Sequence, residues 1–136
     1  TGIFGTDILV RILCERGDKE LAKALLVSDK GIGTFRYIRD LGATTLWENW
    51  EGCDSRCHPM FGAVIEYFFS EILGIRRAED KAGYKEITIS PADIPALRNV
   101  SGTMRTPCGD ITVEITTDDN GNRNIKADVT EKITII

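Results

Sequence analysis

The sequence predicts an α+β fold in which helices come first and a small antiparallel β-sandwich follows. Before about residue 85, apolar residues recur at the three- and four-residue spacing of amphipathic helices. After Gly83, short segments alternate apolar and polar residues, as half-buried strands do. This single change of period divides the chain into two predicted domains, residues 1–84 and residues 85–136.

Four helices are predicted in the first domain. The first has Thr6 as its N-cap, and the second is capped by Asp18, so that the two form a helical hairpin. A shorter third helix covers about residues 34–41. The fourth begins near Pro59, where a missing N–H costs little, and continues to Gly74. Its apolar residues occupy much of its circumference, which predicts helices packed on more than one side.

Five strands are predicted in the second domain, and all are expected to be antiparallel. The Asn120-Gly121 pair marks a hairpin turn between two of them. Alternation of apolar and polar residues gives each strand one buried face, and two sheets that bury such faces against each other form a sandwich. The predicted strands are residues 85–90, 98–105, 110–117, 123–130 and 132–136.

Composition excludes several classes of partner. The 136 residues are 42% hydrophobic and 28% charged, which is ordinary for a globular protein. A net charge of -4 and a pI near 5.0 leave no basic surface for nucleic acid or for an anionic membrane. The sequence shows neither an apolar run of about 20 residues nor a signal peptide. We therefore expect no nucleic-acid partner and no membrane attachment. The absence of a visible signal peptide, together with the free cysteines, favours a cytoplasmic location.

The segment from Gly42 to Trp50, Gly-Ala-Thr-Thr-Leu-Trp-Glu-Asn-Trp, is the most informative part of the chain. It places the carboxylate of Glu48 between the indoles of Trp47 and Trp50. Aromatic faces stack on the apolar face of a pyranose, and a carboxylate among them can act as acid, base or nucleophile at a glycosidic bond. The segment therefore indicates a sugar site. The structural alternative is a buried tryptophan pair with a salt-bridged glutamate.

The cysteines form only a weak metal-binding pattern. Cys53, Cys57 and His58 lie close together in sequence, but a structural zinc site needs a fourth ligand, which only the distant Cys14 or Cys108 would supply. Reduced thiols suit these positions better than a disulfide framework does, although a disulfide between the first two remains open. We expect no metal and no cofactor.

The order of these segments resembles the C-terminal end of bacterial α-L-rhamnosidases. Members of that family are inverting glycoside hydrolases with an (α/α)6 barrel followed by a small β-sandwich. The resemblance therefore implies that residues 1–84 form the end of such a barrel and residues 85–136 the sandwich. It covers nearly the whole chain and is carried by residues 2–6, 42–50, 58–64, 73–75, 82–85 and 106–111.

The resemblance implies roles for four residues. Glu48 matches the general base, which takes a proton from the water that attacks the anomeric carbon. His58, the only histidine in the chain, matches a histidine placed at the sugar; the alternative is a histidine at a helix start bonded to backbone. Trp47 and Trp50 are candidates for the pocket wall. The expected substrate is a rhamnose-containing glycoside.

The resemblance also predicts a section of a larger enzyme. The general acid of the family lies in an Arg-Asp-Glu-Arg-rich segment before any residue present here, and about two of the six helical hairpins are present. Cys57 also stands where the family often has asparagine. We therefore expect a chain that is inactive by itself and that self-associates or packs against the rest of an enzyme.

Two other functions stay open. One is a non-catalytic carbohydrate-binding or scaffolding module, which an exposed surface around the Trp-Glu segment would favour. The other is a related (α/α)6 glycosidase for a different sugar, which the shape of the pocket around Trp47 and His58 would decide.

Overall fold

The computed structural model describes residues 1–29 and 31–136, which form two compact units, Thr1–Tyr67 and Phe68–Ile136. Helices and loops make up the first unit, and two three-stranded sheets dominate the second. This confirms the predicted α+β class, while the domain division after residue 84 stays a prediction. No helix in the described part of the chain is both long and apolar enough to cross a membrane.

The first unit opens with the predicted helical hairpin, formed by helix α1 (Gly5–Glu15) and helix α2 (Lys19–Val27). The prediction that Thr6 is the N-cap of α1 is wrong. Thr6 lies inside the helix, is 4% exposed, and donates its hydroxyl to the carbonyl of Gly2 at 2.9 Å. The helix starts earlier because the N–H groups of Gly5 and Thr6 both bond to that same carbonyl.

The remaining helices of the first unit are short. Helix α3 covers Phe35–Asp40, as predicted, and its N-cap Thr34 accepts a hydrogen bond from the N–H of Tyr37 at 3.1 Å. After a long loop, a 3₁₀-helix covers Pro59–Val64 with the proline in its first turn, and the single turn α4 covers Ile65–Tyr67. The unit therefore ends in tight, short helical segments.

The second unit begins with a π-helical turn over Phe68–Ile72, in which the N–H of Leu73 bonds to the carbonyl of Phe68 at 2.9 Å. The sequence predicts one regular helix from Pro59 to Gly74, and this is wrong, because 3₁₀, α and π windings follow one another along the stretch. The spacing of apolar residues does not separate these windings, since each winding covers only three to six residues, too few to show its own period.

Six strands form the two sheets. The first sheet has the order β1-β2-β6, and the second has the order β3-β4-β5. All neighbours are antiparallel, as predicted, except β2 and β6, which run parallel. Strand β1 was not predicted because three residues are too few to show alternation. The strands are β1 (Ile75–Arg77), β2 (Glu86–Ile89), β3 (Asn99–Thr106), β4 (Gly109–Thr117), β5 (Arg123–Val129) and β6 (Thr134–Ile135).

The core of the second unit lies between its two sheets. Ile75 and Ile87 come from the first sheet, and Ile111, Val113 and Ile115 come from β4 in the second. All five side chains are buried and belong to one cluster, so the two sheets face each other through their apolar sides. The predicted β-sandwich is therefore confirmed.

Candidate functional site

The Trp-Glu segment lies in a loop, residues 43–58, that folds back on itself between α3 and the 3₁₀-helix. The N–H of His58 donates to the carbonyl of Leu46 at 2.7 Å. The N–H of Glu48 donates to the carbonyl of Ser55 at 2.8 Å. The two arms of the loop therefore pair like short antiparallel strands, and this brings the predicted base next to a residue seven positions later.

The carboxylate of Glu48 is partly buried and is held by the loop itself. Its Oε2 accepts a hydrogen bond from the backbone N–H of Ser55 at 3.3 Å. Within the described residues, no group donates to Oε1 and no cation forms a salt bridge with the carboxylate. One oxygen is thus oriented while the other stays available to a ligand, an arrangement that suits a general base.

Both indoles belong to the core of the first unit. Trp47 is 5% exposed and Trp50 is 7% exposed, and they cluster with Ile38 and Phe61. The ring centroids of Trp50 and Phe61 lie 4.2 Å apart. The Nε1–H of Trp50 donates to the carbonyl of Thr1 at 2.6 Å. The buried tryptophan pair of the structural alternative is therefore present, and contact of either indole with a sugar stays a prediction.

Trp47 also supports the loop. The guanidinium carbon of Arg56 lies 5.0 Å from the centre of the Trp47 ring, within the range of a cation–π contact. Gly52 packs so closely that a Cβ atom there would lie 2.5 Å from the ring, and its φ of +69° suits glycine. The buried indole therefore fixes the loop at two positions on the arm that returns from Glu48.

His58 has one imidazole nitrogen without a partner. Its backbone N–H pairs with Leu46, but its Nδ1 is buried and makes no hydrogen bond to the described residues. A buried polar atom without a partner costs free energy, and ligand binding often supplies the missing partner. The role of His58 at a sugar stays a prediction, and this nitrogen is the group that could fill it.

Two further residues of the loop contribute to the site and are not among the predicted ones. Ser55 supplies the N–H that orients Glu48, and the amide of Asn49 bonds to the backbone of the return turn. The pattern Asn-x-x-Gly over residues 49–52 is a signal for the second, because asparagine side chains close such turns. No pattern identifies the first, since its contribution comes from the backbone.

The cysteines do not form a metal centre. Cys53 and Cys57 are exposed free thiols. Within the part of the chain that the structure describes, no three histidine, cysteine, aspartate or glutamate side chains are grouped to hold a metal ion.

A separate open groove of about 500 Å³ lies in the second unit, and none of the four predicted site residues lines it. Since the groove contains none of the predicted catalytic or sugar-binding residues, we place the candidate site at the Glu48 loop. The groove is lined by Thr106, Pro107, Cys108, Gly109, Thr130, Glu131 and Lys132.

Comparison with known families decides the relationship that these features suggest. Residues 1–72, slightly more than half of the 136, match the model of the bacterial alpha-L-rhamnosidase 6 hairpin glycosidase domain. The chain belongs to this bacterial α-L-rhamnosidase family. The predicted family is therefore confirmed, and the matched range includes both Glu48 and His58.

Curated relatives agree with this result. The alpha-L-rhamnosidase of Formosa agariphila is 36% identical over 122 residues, which are 82% of this chain and 13% of that protein. The alpha-L-rhamnosidase of Alteromonas sp. (strain LOR) is 33% identical over 132 residues, which are 89% of this chain and 14% of that protein. The chain thus spans about one seventh of the length of these rhamnosidases.

Solved rhamnosidase structures contain the same fold. An alpha-L-rhamnosidase from Dictyoglumus thermophilum superposes with a TM-score of 0.83 at 28% identity, covering 98% of this chain and 15% of that one. The Streptomyces avermitilis alpha-L-rhamnosidase complexed with L-rhamnose gives a TM-score of 0.86 at 24% identity, covering 99% of this chain and 14% of that one. The helical unit followed by a sandwich is therefore a recurrent part of rhamnosidases.

Proposed function

We propose that this chain contributes the general base, Glu48, to the active site of an inverting enzyme that hydrolyses terminal α-L-rhamnosides. The observation that carries the proposal is the state of that carboxylate. One oxygen is oriented by the N–H of Ser55, and the other receives no hydrogen bond from the described residues. Membership of the rhamnosidase family supplies the reaction class.

The proposed reaction needs two carboxyl groups on opposite sides of the glycosidic bond. The ionised Glu48 takes a proton from a water molecule as that water attacks the anomeric carbon from the face opposite the leaving group. A general acid protonates the departing oxygen. Base and acid stand roughly 6.5 to 9.5 Å apart in inverting enzymes, so that the water fits between the base and the sugar. In this proposal the acid comes from sequence outside these 136 residues.

The other three predicted residues would act on the substrate side. We assign the Nδ1 atom of His58 to a hydrogen bond with a sugar hydroxyl, because it is buried without a protein partner. Trp47 and Trp50 would contribute to the pocket wall chiefly by packing against the loop from the core, since each has only a small exposed edge.

The exposed apolar face of α1 supports packing against further protein. Ile8 and Ile12 lie on one side of the helix, and Phe4 precedes them at the N-cap; their side chains are 57%, 43% and 71% exposed, respectively. Apolar side chains aligned in this way are usually covered by a neighbouring element. We therefore propose that the chain works within a larger rhamnosidase or self-associates through this face.

The two alternatives have less support. A carbohydrate-binding module needs aromatic faces that a sugar can reach, whereas both indoles are buried in the first unit. A glycosidase for another sugar shares every feature of the loop, and the family match is what favours rhamnose. Hydrolysis of a panel of nitrophenyl glycosides would separate a rhamnosidase from a glycosidase for another sugar.

A chimera tests the proposal. Residues 1–136 would replace the superposed segment of the Dictyoglumus thermophilum enzyme, so that this chain supplies the only base. We expect the chimera to release 4-nitrophenol from 4-nitrophenyl α-L-rhamnoside and the Glu48→Gln version to lose about 10²- to 10⁴-fold in turnover. Glu51→Gln, at an exposed position in the same loop, is the matched control and is expected to keep full activity.

Two results would contradict the proposal. The first is normal turnover by a Glu48→Gln chimera. The second is a chimera that is folded by circular dichroism and cooperative thermal unfolding but inactive with Glu48 in place. The 136-residue chain alone is expected to release no 4-nitrophenol, because it lacks a general acid.

A further inference from the structure

The tip of the loop, residues 49–54, closes without regular secondary structure. No backbone–backbone hydrogen bond joins two residues of this loop tip in the described chain. Its two ends are nevertheless held together, since the N–H of Glu48 lies 2.8 Å from the carbonyl of Ser55. Residues 50–51 form a turn, and side chains supply the other contacts that fix the shape of the loop tip.

Asn49 supplies this closure with both ends of its amide. Its Oδ1 accepts hydrogen bonds from the N–H of Gly52 at 2.8 Å and from the N–H of Cys53 at 3.3 Å. Its Nδ2 donates to Oδ2 of Asp54. A side-chain amide accepts and donates at the same time, whereas an ionised aspartate of the same size only accepts. The native contacts of the loop tip therefore require an amide at position 49 and an oxygen acceptor opposite it at position 54.

The closure reaches Glu48 through the next residue in the chain. Ser55 follows Asp54 directly, and its N–H donates to Oε2 of Glu48 at 3.3 Å. The carbonyl of Ser55 in turn accepts a hydrogen bond from the backbone N–H of Glu48. The direction of the Ser55 N–H, and with it the direction of the carboxylate, thus depends on where Asn49 holds Asp54.

We infer that Asn49 and Asp54 are positioning residues for the Glu48 carboxylate. The inference deepens the proposed function and rests on it only for the role of Glu48 as a base. When the amide–carboxylate pair is broken, the N–H of Ser55 moves and the carboxylate spends less time aimed at the attacking water. A misdirected base lowers kcat, whereas KM changes little because the groups that bind the sugar are untouched.

Exchanging the two side chains provides a matched set of variants. Asn49→Asp places two carboxylates opposite each other and breaks the pair. The double variant Asn49→Asp with Asp54→Asn restores it, because the amide then donates from the other side. Asp54→Asn alone keeps an acceptor oxygen for the Nδ2 of Asn49 and is the structural control.

The contact is measured by the amide proton shift of Ser55 in the 136-residue chain, followed by NMR from about pH 7 to about pH 3, the range over which carboxylates titrate. An amide proton bonded to a carboxylate shifts when that carboxylate is protonated. Each variant is compared with the same variant carrying Glu48→Gln, so that titration of aspartates in the loop is subtracted. We expect Asn49→Asp to lose at least about half of the Glu48-dependent change, and the double variant to regain it. Full retention in Asn49→Asp would overturn the inference.

Kinetics of the chimera provide the second measurement. We expect Asn49→Asp to lower kcat about tenfold with KM within about twofold, and the double variant to restore kcat. Unchanged kcat in Asn49→Asp, or a loss that the double variant leaves in place, would overturn the positioning role. Turnover that survives Glu48→Gln would instead refute the proposed function, and the NMR measurement would still decide whether the loop tip orients this side chain.

Discussion

Each of the two units is stabilised by a different kind of internal interaction. In the second unit, β3 and β4 form eight backbone pairs and β4 and β5 form seven, so the sheet depends on a regular ladder. In the first unit, the loop 43–58 depends on single side chains, above all Asn49 and Trp47. A regular ladder tolerates exchange of its exposed side chains, whereas such a loop does not. The candidate site therefore lies in a loop that is held by single side chains and not by a backbone ladder.

Gly74→Ala should cause the largest loss of stability, because the added methyl group would clash with backbone atoms of the second unit. A Cβ atom at Gly74 would lie 2.1 Å from the nitrogen of Pro91 and 2.2 Å from the carbonyl carbon of Ser90, and its φ is +72°. We expect the free energy of unfolding to fall by about 4 kcal/mol, since strain adds to overlap with atoms that cannot move aside. Urea unfolding followed by circular dichroism measures this.

Gly121→Ala is the control for that experiment. Gly121 has a similar φ of +85°, but a Cβ there would meet nothing within 4 Å. We expect a loss of about 1 kcal/mol from the conformation alone. Equal losses in the two variants would show that the close approach at Gly74 contributes nothing.

Phe61→Ala is the corresponding change in the first unit. Phe61 is 1% exposed and touches the rings of Trp50 and Phe35. We expect a loss of about 3 kcal/mol, from lost burial and the cavity left behind, measured by urea unfolding with tryptophan fluorescence. Ile65→Ala, at a side chain that is 59% exposed, is the control and is expected to cost less than about 0.5 kcal/mol. Similar midpoints for the two variants would contradict the aromatic core.

Thr34→Ala tests the dependence of the first unit on single polar side chains. The Thr34 hydroxyl accepts from the N–H of Tyr37 and donates to the carbonyl of Ser28 at 3.0 Å. We expect the free energy of unfolding in urea to fall by about 1 kcal/mol, because the N–H of Tyr37 and the carbonyl of Ser28 each lose this hydrogen bond. Thr34→Ser keeps the hydroxyl and is expected to behave like the native chain; a loss as large as that of alanine would refute the cap.

The smallest effect concerns pH and the hairpin turn after β4. Hydrogen bonds from the side chain and backbone of Asn122 hold the pKa of Asp118 below its ordinary value of 3.8, with the N–H of Asn120 contributing. Because the folded pKa is depressed, the stabilisation is present above about pH 4 and is lost as the pH falls through the lower folded value. Asn122→Ala should raise the pKa of Asp118 towards 3.8 in an NMR carboxyl titration. An unchanged pKa would show that the side chain of Asn122 is not the cause.

Periodicity predicted the regular parts of both units. The hairpin of α1 and α2, helix α3 and strands β3 to β5 all have several residues on one face, so their apolar spacing identifies them. Periodicity does not identify elements that are very short or helical stretches whose winding changes along their length. Strand β1 has three residues, and the stretch from Pro59 to Ile72 changes its winding twice.

The candidate site was predictable only in part, for a related reason. Glu48 and His58 were identified by the resemblance of short motifs to a family, and the family itself is confirmed. The partner of the Glu48 carboxylate is a backbone N–H, and every residue except proline has one, so sequence alone does not single out Ser55. The burial of Trp47 and Trp50 depends on how the loop folds back, which leaves no periodic trace.

The pairing of β6 with β2 determines the order in which the sandwich assembles. Thr134 pairs with Glu86, 48 positions earlier in the chain, whereas the turn between β3 and β4 joins Thr106 to Gly109. Closing a long loop costs more chain entropy than closing a short one, and distant contacts form slowly. We therefore expect the hairpins of β3, β4 and β5 to form early during refolding and the last residues of the chain to dock late.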